Sequence, residues 1–410
     1  MADAPAATAG KDTHQTAVSQ HAAKARIESI DIVRGIIMII MALDHAHDFF
    51  GDLKSNPVDL TTTTAALFFT RWVTHICAPV FFLLTGTGAY LMLKRMSKPA
   101  LSRFLVTRGL WLIFLELVVL RFALQFNFDY QITIITVLWA LGWAMIVLAA
   151  LIWLPNWAIA AIGVAMVVGH NLLGNVDPAS FGALAPLWNV LHSPGPAFKI
   201  GHHTFFISYV LIPWVGVTAL GYVLGEAYGW SADRRKRLLL WLGLALVAGF
   251  IVLRFANGYG DPFPWSQQKS ALWTLMSFVN TTKYPPSLLY LLMTLGPALL
   301  LLRVFENGIP AVLHPALVFG KVPLFFFVLH FYLIHLLAVA ASWLRYGEVQ
   351  EMFRSPDVAH FPFSAPPDWA APGLPLVYAI WIFAVVSLYP LCRWYAALRR
   401  RRTDWWLSYL

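Results

Sequence analysis

Apolar residues in this chain come in long runs rather than alternating with polar ones. Ten runs stand out, at 31–50, 66–93, 102–121, 132–153, 156–173, 205–226, 236–254, 285–303, 321–343 and 374–397. A helix needs roughly 20 apolar residues to cross the hydrocarbon core of a bilayer. The pattern therefore predicts an all-α fold, a polytopic membrane helical bundle of about ten transmembrane helices. The stretch 271–279 is too short to cross and is expected to lie along the interface. Pro79 should kink the second span.

Lys and Arg sort the loops between the runs. Lys11, Lys24, Arg26, Lys94, Arg95, Lys98, Arg234, Arg235, Lys236, Arg237, Arg303, Lys321, Arg393 and the run Arg399 to Arg402 all fall on one side of a ten-span arrangement. Opposite them, 51–65 holds only Lys54, 174–204 only Lys199, and 344–373 only Arg345 and Arg354. The positive-inside rule then puts both termini in the cytoplasm. The expected organisation is a polar arm at 1–28, a membrane domain at 29–398 and a basic tail at 399–410. No small-residue cleavage site follows the first run, so that run is expected to act as a signal anchor. The long loops at 174–204, 255–284 and 344–373, rich in Gly, Pro and aromatics, are placed to cap an outward-facing cavity.

Composition agrees with a membrane domain. Of the 410 residues 59% are hydrophobic and 12% charged, about half the charge of a soluble domain. The net charge of +9 is read as topology and attraction to anionic lipid, not nucleic-acid binding. The two cysteines, Cys77 and Cys392, lie in distant spans and offer neither a disulfide framework nor metal-ligand spacing.

The first run departs from this lipid-like plainness. It reads "IDIVRGIIMIIMALDHAHDFF", uncharged from Gly35 to Leu43 and then carrying Asp44, His45, His47 and Asp48. On an ideal helix Arg34 and His45, eleven residues apart, differ by about 20° in direction and about 16 Å in height. One face therefore runs Asp31, Arg34, Met38, Met41, His45, Asp48. Asp31 and Arg34 have a sufficient structural reading as a helix-end ion pair. Ionisable groups within a span are costly and usually face a wet cavity or the protein interior. A carboxylate beside His45 can hold one ring nitrogen and leave the other as a base. His47 points to a different face. No third and fourth ligand can be placed for a metal.

Further polar groups recur in other spans. Arg71, Thr74 and His75 share one helix face, and His75 has an alternative reading as a buried hydrogen-bonder. Arg108 and Glu116 lie in the third span, open to an interhelical ion pair or to contact with an anionic donor. The polar stretch Arg121, Gln125, Asn127, Asp129, Gln131 reads as an outward hinge. "TGTG" at 85–88 is expected to serve close helix packing. Lys283 and Tyr284 precede tandem prolines that pre-set a helix start. Lys321, His330 and His335 lie in the ninth span, where Lys321 reads as a phosphate contact or as a snorkelling cation.

The stretch "RIESIDIVRGIIMIIMALDH" resembles the first-helix signature of bacterial relatives of heparan-alpha-glucosaminide N-acetyltransferase, a transmembrane acyltransferase family. "FFTRWVTHICAPVFFLLTG" (68–86), "TKYPPSLLYLLMTLGPALLLL" (282–302) and "FGKVPLFFFVLHFYLIHLL" (319–337) are similar to bacterial members. The Arg–Gly pair with His45 eleven residues after the Arg also resembles the first helix of membrane acyltransferase-3 proteins, whose essential His matches His45. The resemblance implies acetyl-CoA, or another acyl-CoA, as co-substrate with no tightly bound cofactor. It implies an acceptor hydroxyl or amine, plausibly on a sugar, at the outer side of a bacterial cytoplasmic membrane. Catalytic work is then expected of His45 with Asp44, Asp48 and His47. Donor or acceptor binding is expected of Arg34, Arg71, His75, Arg108, Lys283, Tyr284, Lys321 and His330. Membrane lipids are the other expected partners, and a homodimer is left open. Two other readings stand beside this one. Intramembrane His and Asp also suit a proton-coupled transporter, although no repeat or interrupted-helix pair supports that, and a polar face could pack against a partner in an assembly protein.

Overall fold

The structure is a computed structural model that describes residues 27–52, 56–356, 366, 368–370, 372–402 and 404–409. Most of the expected 1–28 arm and Lys54 lie outside the described residues. The helices, in order, are α1 Glu28–Phe50, α2 Ala65–Thr74, α3 Cys77–Leu93, α4 Lys98–Phe114, α5 Arg121–Gln125, α6 Val137–Leu151, α7 Asn156–Gly169, α8 Ala185–Leu191, α9 Leu211–Gly225, α10 Ala232–Ala256, α11 Ala271–Val279, α12 Leu288–Phe305, α13 His314–Lys321, α14 Pro323–Tyr346 and α15 Gly373–Arg401. A π-helical turn, Leu115–Leu120, joins α4 to α5 without a break.

The chain is an all-α polytopic membrane protein. Among the described residues seven helical stretches are long and apolar enough to cross a bilayer: Ala65–Leu93, Asn156–Leu173, Leu211–Gly229, Ala232–Ala256, Leu288–Phe305, Pro323–Tyr346 and Gly373–Arg401. Helices also occupy the other three expected spans, but they differ from plain lipid-crossing segments. The first, α1, carries Arg34, Asp44 and Asp48, the α4–α5 rod carries Arg108, Glu116 and Arg121, and α6 has only 15 residues. The fourth and sixth spans also begin later than expected. Their leading residues form strands, β1 Ile132–Ile135 and β3 His203–Ile207, which pair in parallel, with β2 Gly195–Ile200 antiparallel on the far side of β3. β-branched and aromatic residues favour this pleated surface. An apolar run alone does not distinguish it from the start of a helix.

The second span is two helices. Pro79 has no N–H to give the carbonyl four residues earlier, which belongs to His75, and α2 ends at Thr74. That carbonyl instead accepts a hydrogen bond of 2.7 Å from the Tyr290 hydroxyl on α12.

α1 lies against α2, α3, α12, α13, α14 and α15. Its closest approach is to α13. A Cβ on Gly35 would stand 1.9 Å from the Ala316 carbonyl oxygen, and one on Gly320 would stand 1.8 Å from that of Asp31. Only glycine permits this crossing. The expected packing role of "TGTG" holds at Gly86, where a Cβ would stand 2.0 Å from the Thr218 carbonyl oxygen on α9.

The loop 255–284 is held by two buried groups. Arg254 donates to the carbonyls of Phe263 (2.9 Å), Ser277 (3.0 Å), Phe278 (2.9 Å) and Asn280 (2.7 Å). These include carbonyls at the C-terminal end of α11, where a cation is favoured. Asp261 accepts from the backbone and hydroxyl of Thr282, at 2.8 and 3.1 Å, and from the Ser287 hydroxyl at 2.6 Å. Together they fix the turn that presents Lys283 and Tyr284. In the loop between α1 and α2, the backbone N–H and hydroxyl of Thr61 bond to Asp59 and hold its carboxyl below the usual range.

Candidate functional site

Among the described residues, α1 lines two neighbouring cavities. The first, of about 460 Å³, is lined by Met41, Asp44, His45 and Asp48 of α1 together with Arg71, Lys283, Tyr284, Tyr209 and Phe331. We call it the histidine cavity. Ile134 of β1 and Phe206 of β3 complete its wall. The second, of about 960 Å³, is lined by Asp31, Arg34 and Met38 of α1 with Lys94, Arg95, Arg108 and Arg399. We call it the basic cavity. The stripe expected on α1 is thus divided in its middle, with Met38 facing one cavity and Met41 the other.

In the histidine cavity, His45 Nδ1 stands 2.9 Å from Asp48 Oδ2, and the two side chains keep 18% and 25% of their exposure. If Nδ1 carries the proton and donates to the carboxylate, Nε2 is left as a base. The ring rests against Phe331, with centroids 4.1 Å apart, and against His330 at 5.2 Å. His330 is fully buried and its Nδ1 lies 3.0 Å from the Phe326 carbonyl oxygen. It supports the His45 ring from behind and is not part of the cavity lining.

Asp44 does not orient His45. It is the centre of a separate charge cluster. Arg71 of α2 forms an ion pair with Asp44 Oδ1, the Thr74 hydroxyl donates to the same oxygen at 2.8 Å, and Lys283 Nζ lies 3.7 Å from Oδ2. All three charged groups are largely buried. Within this cavity Asp44 and Asp48 balance Arg71 and Lys283 in formal charge.

The basic cavity has a different balance. Arg34, Lys94, Arg95, Arg108 and Arg399 line it, and Asp31 is the one acid among the described lining residues. Asp31 Oδ1 pairs with Arg34 at 3.1 Å. The site is therefore strongly cationic and lined by mostly apolar walls, a setting in which field lines concentrate.

Four expected site residues are not on either lining. His47 is on neither lining, although Asp48, Arg71 and Asp44 are close enough to act on it electrostatically. His75 is buried with its ring against Tyr290, centroids 5.5 Å apart. Lys321 closes α13, and its carbonyl accepts from Arg399 at 3.2 Å. His330 stands behind His45. Among the described residues, Glu116 has no ion-pair partner and is not on the basic-cavity lining. It accepts from the backbone N–H groups of Thr136 (2.7 Å) and Leu138 (3.1 Å), capping α6. The Arg121 hinge is tied inward: Arg121 bonds Asn127 Oδ1 at 2.7 Å and Asp129 at 3.2 Å, and Ser355 donates to Asp129 at 2.6 Å.

In the sequence Lys94, Arg95 and Arg399 read only as topology signals, and Tyr209 carries no signal of its own. Their clustering depends on tertiary packing and left no local signal.

A search of curated proteins returns no match. A family profile described as heparan-alpha-glucosaminide N-acetyltransferase, catalytic, matches residues 26–254. The match includes α1, α2 and Arg108, while Lys283, Tyr284, Phe331 and Arg399 lie beyond it. Since it covers more than half of a membrane-embedded chain, the protein belongs to the heparan-alpha-glucosaminide N-acetyltransferase catalytic family and is an acetyltransferase-like membrane protein.

Proposed function

We propose that the protein transfers an acetyl group from cytoplasmic acetyl-CoA to a hydroxyl or amine of a saccharide on the far side of a bacterial cytoplasmic membrane. One observation carries this reading. A cavity rich in cations meets a cavity holding a His–Asp pair in the interior of the bundle, and α1 runs along both. The phosphates of the donor would sit among Arg34, Lys94, Arg95, Arg108 and Arg399, with the thioester directed toward His45. The acceptor would occupy the histidine cavity beneath the β1–β3 wall.

In the chemical step the acceptor oxygen or nitrogen attacks the thioester carbonyl while His45 Nε2 takes its proton. The new C–O or C–N bond forms, the C–S bond breaks, and the leaving CoA thiolate takes the proton from the His45 imidazolium, which returns His45 to its starting state. Asp48 stabilises the imidazolium through Nδ1. Arg71 and Lys283, both on the cavity wall, are the cations nearest to hand for the developing oxyanion. This direct transfer needs no acyl-enzyme, and an acyl group on His45 is its covalent variant.

The test is transfer of labelled acetyl from acetyl-CoA to amino and neutral sugars by purified protein, with binding followed separately by thermal shift. Stabilisation by CoA species, together with acetylated sugar, supports the reading. Folded protein that neither binds nor turns over acetyl-CoA at millimolar concentration overturns it. The meeting of two cavities also suits a proton-coupled permease, and a proton-flux assay in liposomes separates that reading from acyl transfer.

A further inference from the structure

Among the described residues, three side chains line both cavities: Phe81 of α3, Val137 of α6 and Phe327 of α14. They come from three different helices and none carries a polar atom. We propose that they form an apolar partition between the cavities that closes the histidine cavity to charged solutes from the basic side and passes only a short acyl group. The length selection rests on the acyl-CoA reading above, whereas the barrier to charged solutes does not.

Two sides of the partition are built rigidly. Val137 opens α6 between Thr136 and Leu138, the two residues whose N–H groups Glu116 binds. Phe327 is 4% exposed and stands edge-on to the His45 ring, at 6.4 Å and 87°. It also packs on Phe331, with centroids 5.3 Å apart. Phe81, the third side, is only partly buried. A phosphate cannot pass such a wall without losing its solvation uncompensated. A neutral acetyl thioester loses little. Each added methylene must be housed against Phe327 or in a 460 Å³ cavity shared with the acceptor. One extra methylene in a tight apolar site lowers the rate roughly tenfold or more.

The barrier is tested by labelling. Cys77 and Cys392 are replaced by serine, and Ser208→Cys puts a thiol on the histidine-cavity wall. A charged, membrane-impermeant methanethiosulfonate is then applied to oriented vesicles from the side of the basic cavity. Labelling is expected to be slow with Phe327 in place and at least about tenfold faster in Phe327→Ala, because opening the wall lets water accompany the charge and removes part of its desolvation penalty. Because truncating a packed Phe destabilises the fold, Val137→Ala provides a second, milder opening. Equal labelling in the parent and in both openings overturns the partition.

The length filter is tested by the ratio of butanoyl to acetyl transfer. Phe327→Ala and Val137→Ala are expected to raise it at least about tenfold, and an unchanged ratio overturns the filter. A parent that transfers no acyl group yet shows the labelling difference removes the filter together with the acyl-CoA reading and supports the barrier alone.

Discussion

Asp48 lies one turn beyond His45 on α1, with its Oδ2 2.9 Å from His45 Nδ1. With the proton on Nδ1 and donated to this carboxylate, Nε2 is the nitrogen that the proposed mechanism uses as base. His45→Ala is expected to lower kcat by about 10²–10⁴, the usual contribution of a general base. Asp48→Asn can still contact the ring but no longer stabilises an imidazolium. Its kcat should fall by about 10², with the KM for acetyl-CoA nearly unchanged. Neither change strands a buried charge, so Asp48→Asn should keep the parental unfolding midpoint, while His45→Ala loses the ring packing on Phe331 and should lower it modestly without unfolding the protein. Steady-state kinetics and thermal unfolding on the same preparations check this. Parental turnover in His45→Ala removes His45 from the chemistry.

Asp44 should behave in the opposite way. Its carboxylate is shared by Arg71, Thr74 and Lys283. Asp44→Ala strands two largely buried cations, and breaking a buried pair typically costs about 3–5 kcal/mol. A large drop in unfolding midpoint is expected, with loss of activity following it. Adding Lys283→Met should restore part of the lost stability, since one stranded charge disappears. A double-mutant cycle measures that coupling. Simple additivity would show that Lys283 does not belong to the cluster.

This contrast marks the limit of what the sequence shows. The positions of the helices follow from apolar run length, and the stripe from Asp31 to Asp48 follows from helical period, because both are local properties. Which carboxylate bonds to His45 is a matter of one turn along α1, and helical period alone does not choose between Asp44 and Asp48. Pairing with Arg71 and Lys283 removes Asp44 from that role, and those partners stand 27 and 239 positions away along the chain. The basic cavity was hidden for the same reason. Lys94, Arg95 and Arg399 read as positive-inside residues until packing brings them to one wall. Lys321 and His75 looked equally chemical in the sequence, yet they lie on neither lining. Strands β1 and β3 were missed because short β-branched and aromatic runs beside a span look like its continuation.

Close packing of α1 gives a third prediction. Gly35→Ala places a methyl 1.9 Å from the Ala316 carbonyl oxygen, and this neighbour is backbone that cannot rotate away. α1 and α13 must separate, which should cost about 1–3 kcal/mol or more and shift both the Asp31–Arg34 and His45–Asp48 ends of the stripe. Gly88 is the matched control. A Cβ there meets nothing within 4 Å, since Gly88 opens onto the basic cavity. Gly88→Ala should leave the unfolding midpoint unchanged or raise it slightly, since alanine is the better helix former. Similar midpoints for the two variants would contradict the crossing geometry.

The basic cavity gives the last prediction, and it concerns binding rather than catalysis. Arg108 lies against the Tyr409 ring, with its Cζ 5.5 Å from the centroid, and lines the cavity together with Arg399. If these cations meet donor phosphates, Arg108→Gln and Arg399→Gln should each weaken acetyl-CoA binding about tenfold, or about 1.4 kcal/mol. The loss should shrink as salt rises, because mobile ions screen the same charges in the parent. Lys321→Gln should change the Kd less than twofold, since Lys321 is on neither lining, although its place in the chain suggested a phosphate contact. Isothermal titration with CoA and acetyl-CoA at two ionic strengths checks all three variants. An acetyl-CoA affinity that depends on Lys321 and not on Arg108 or Arg399 would move the donor out of the basic cavity, and the route through the partition to His45 would go with it.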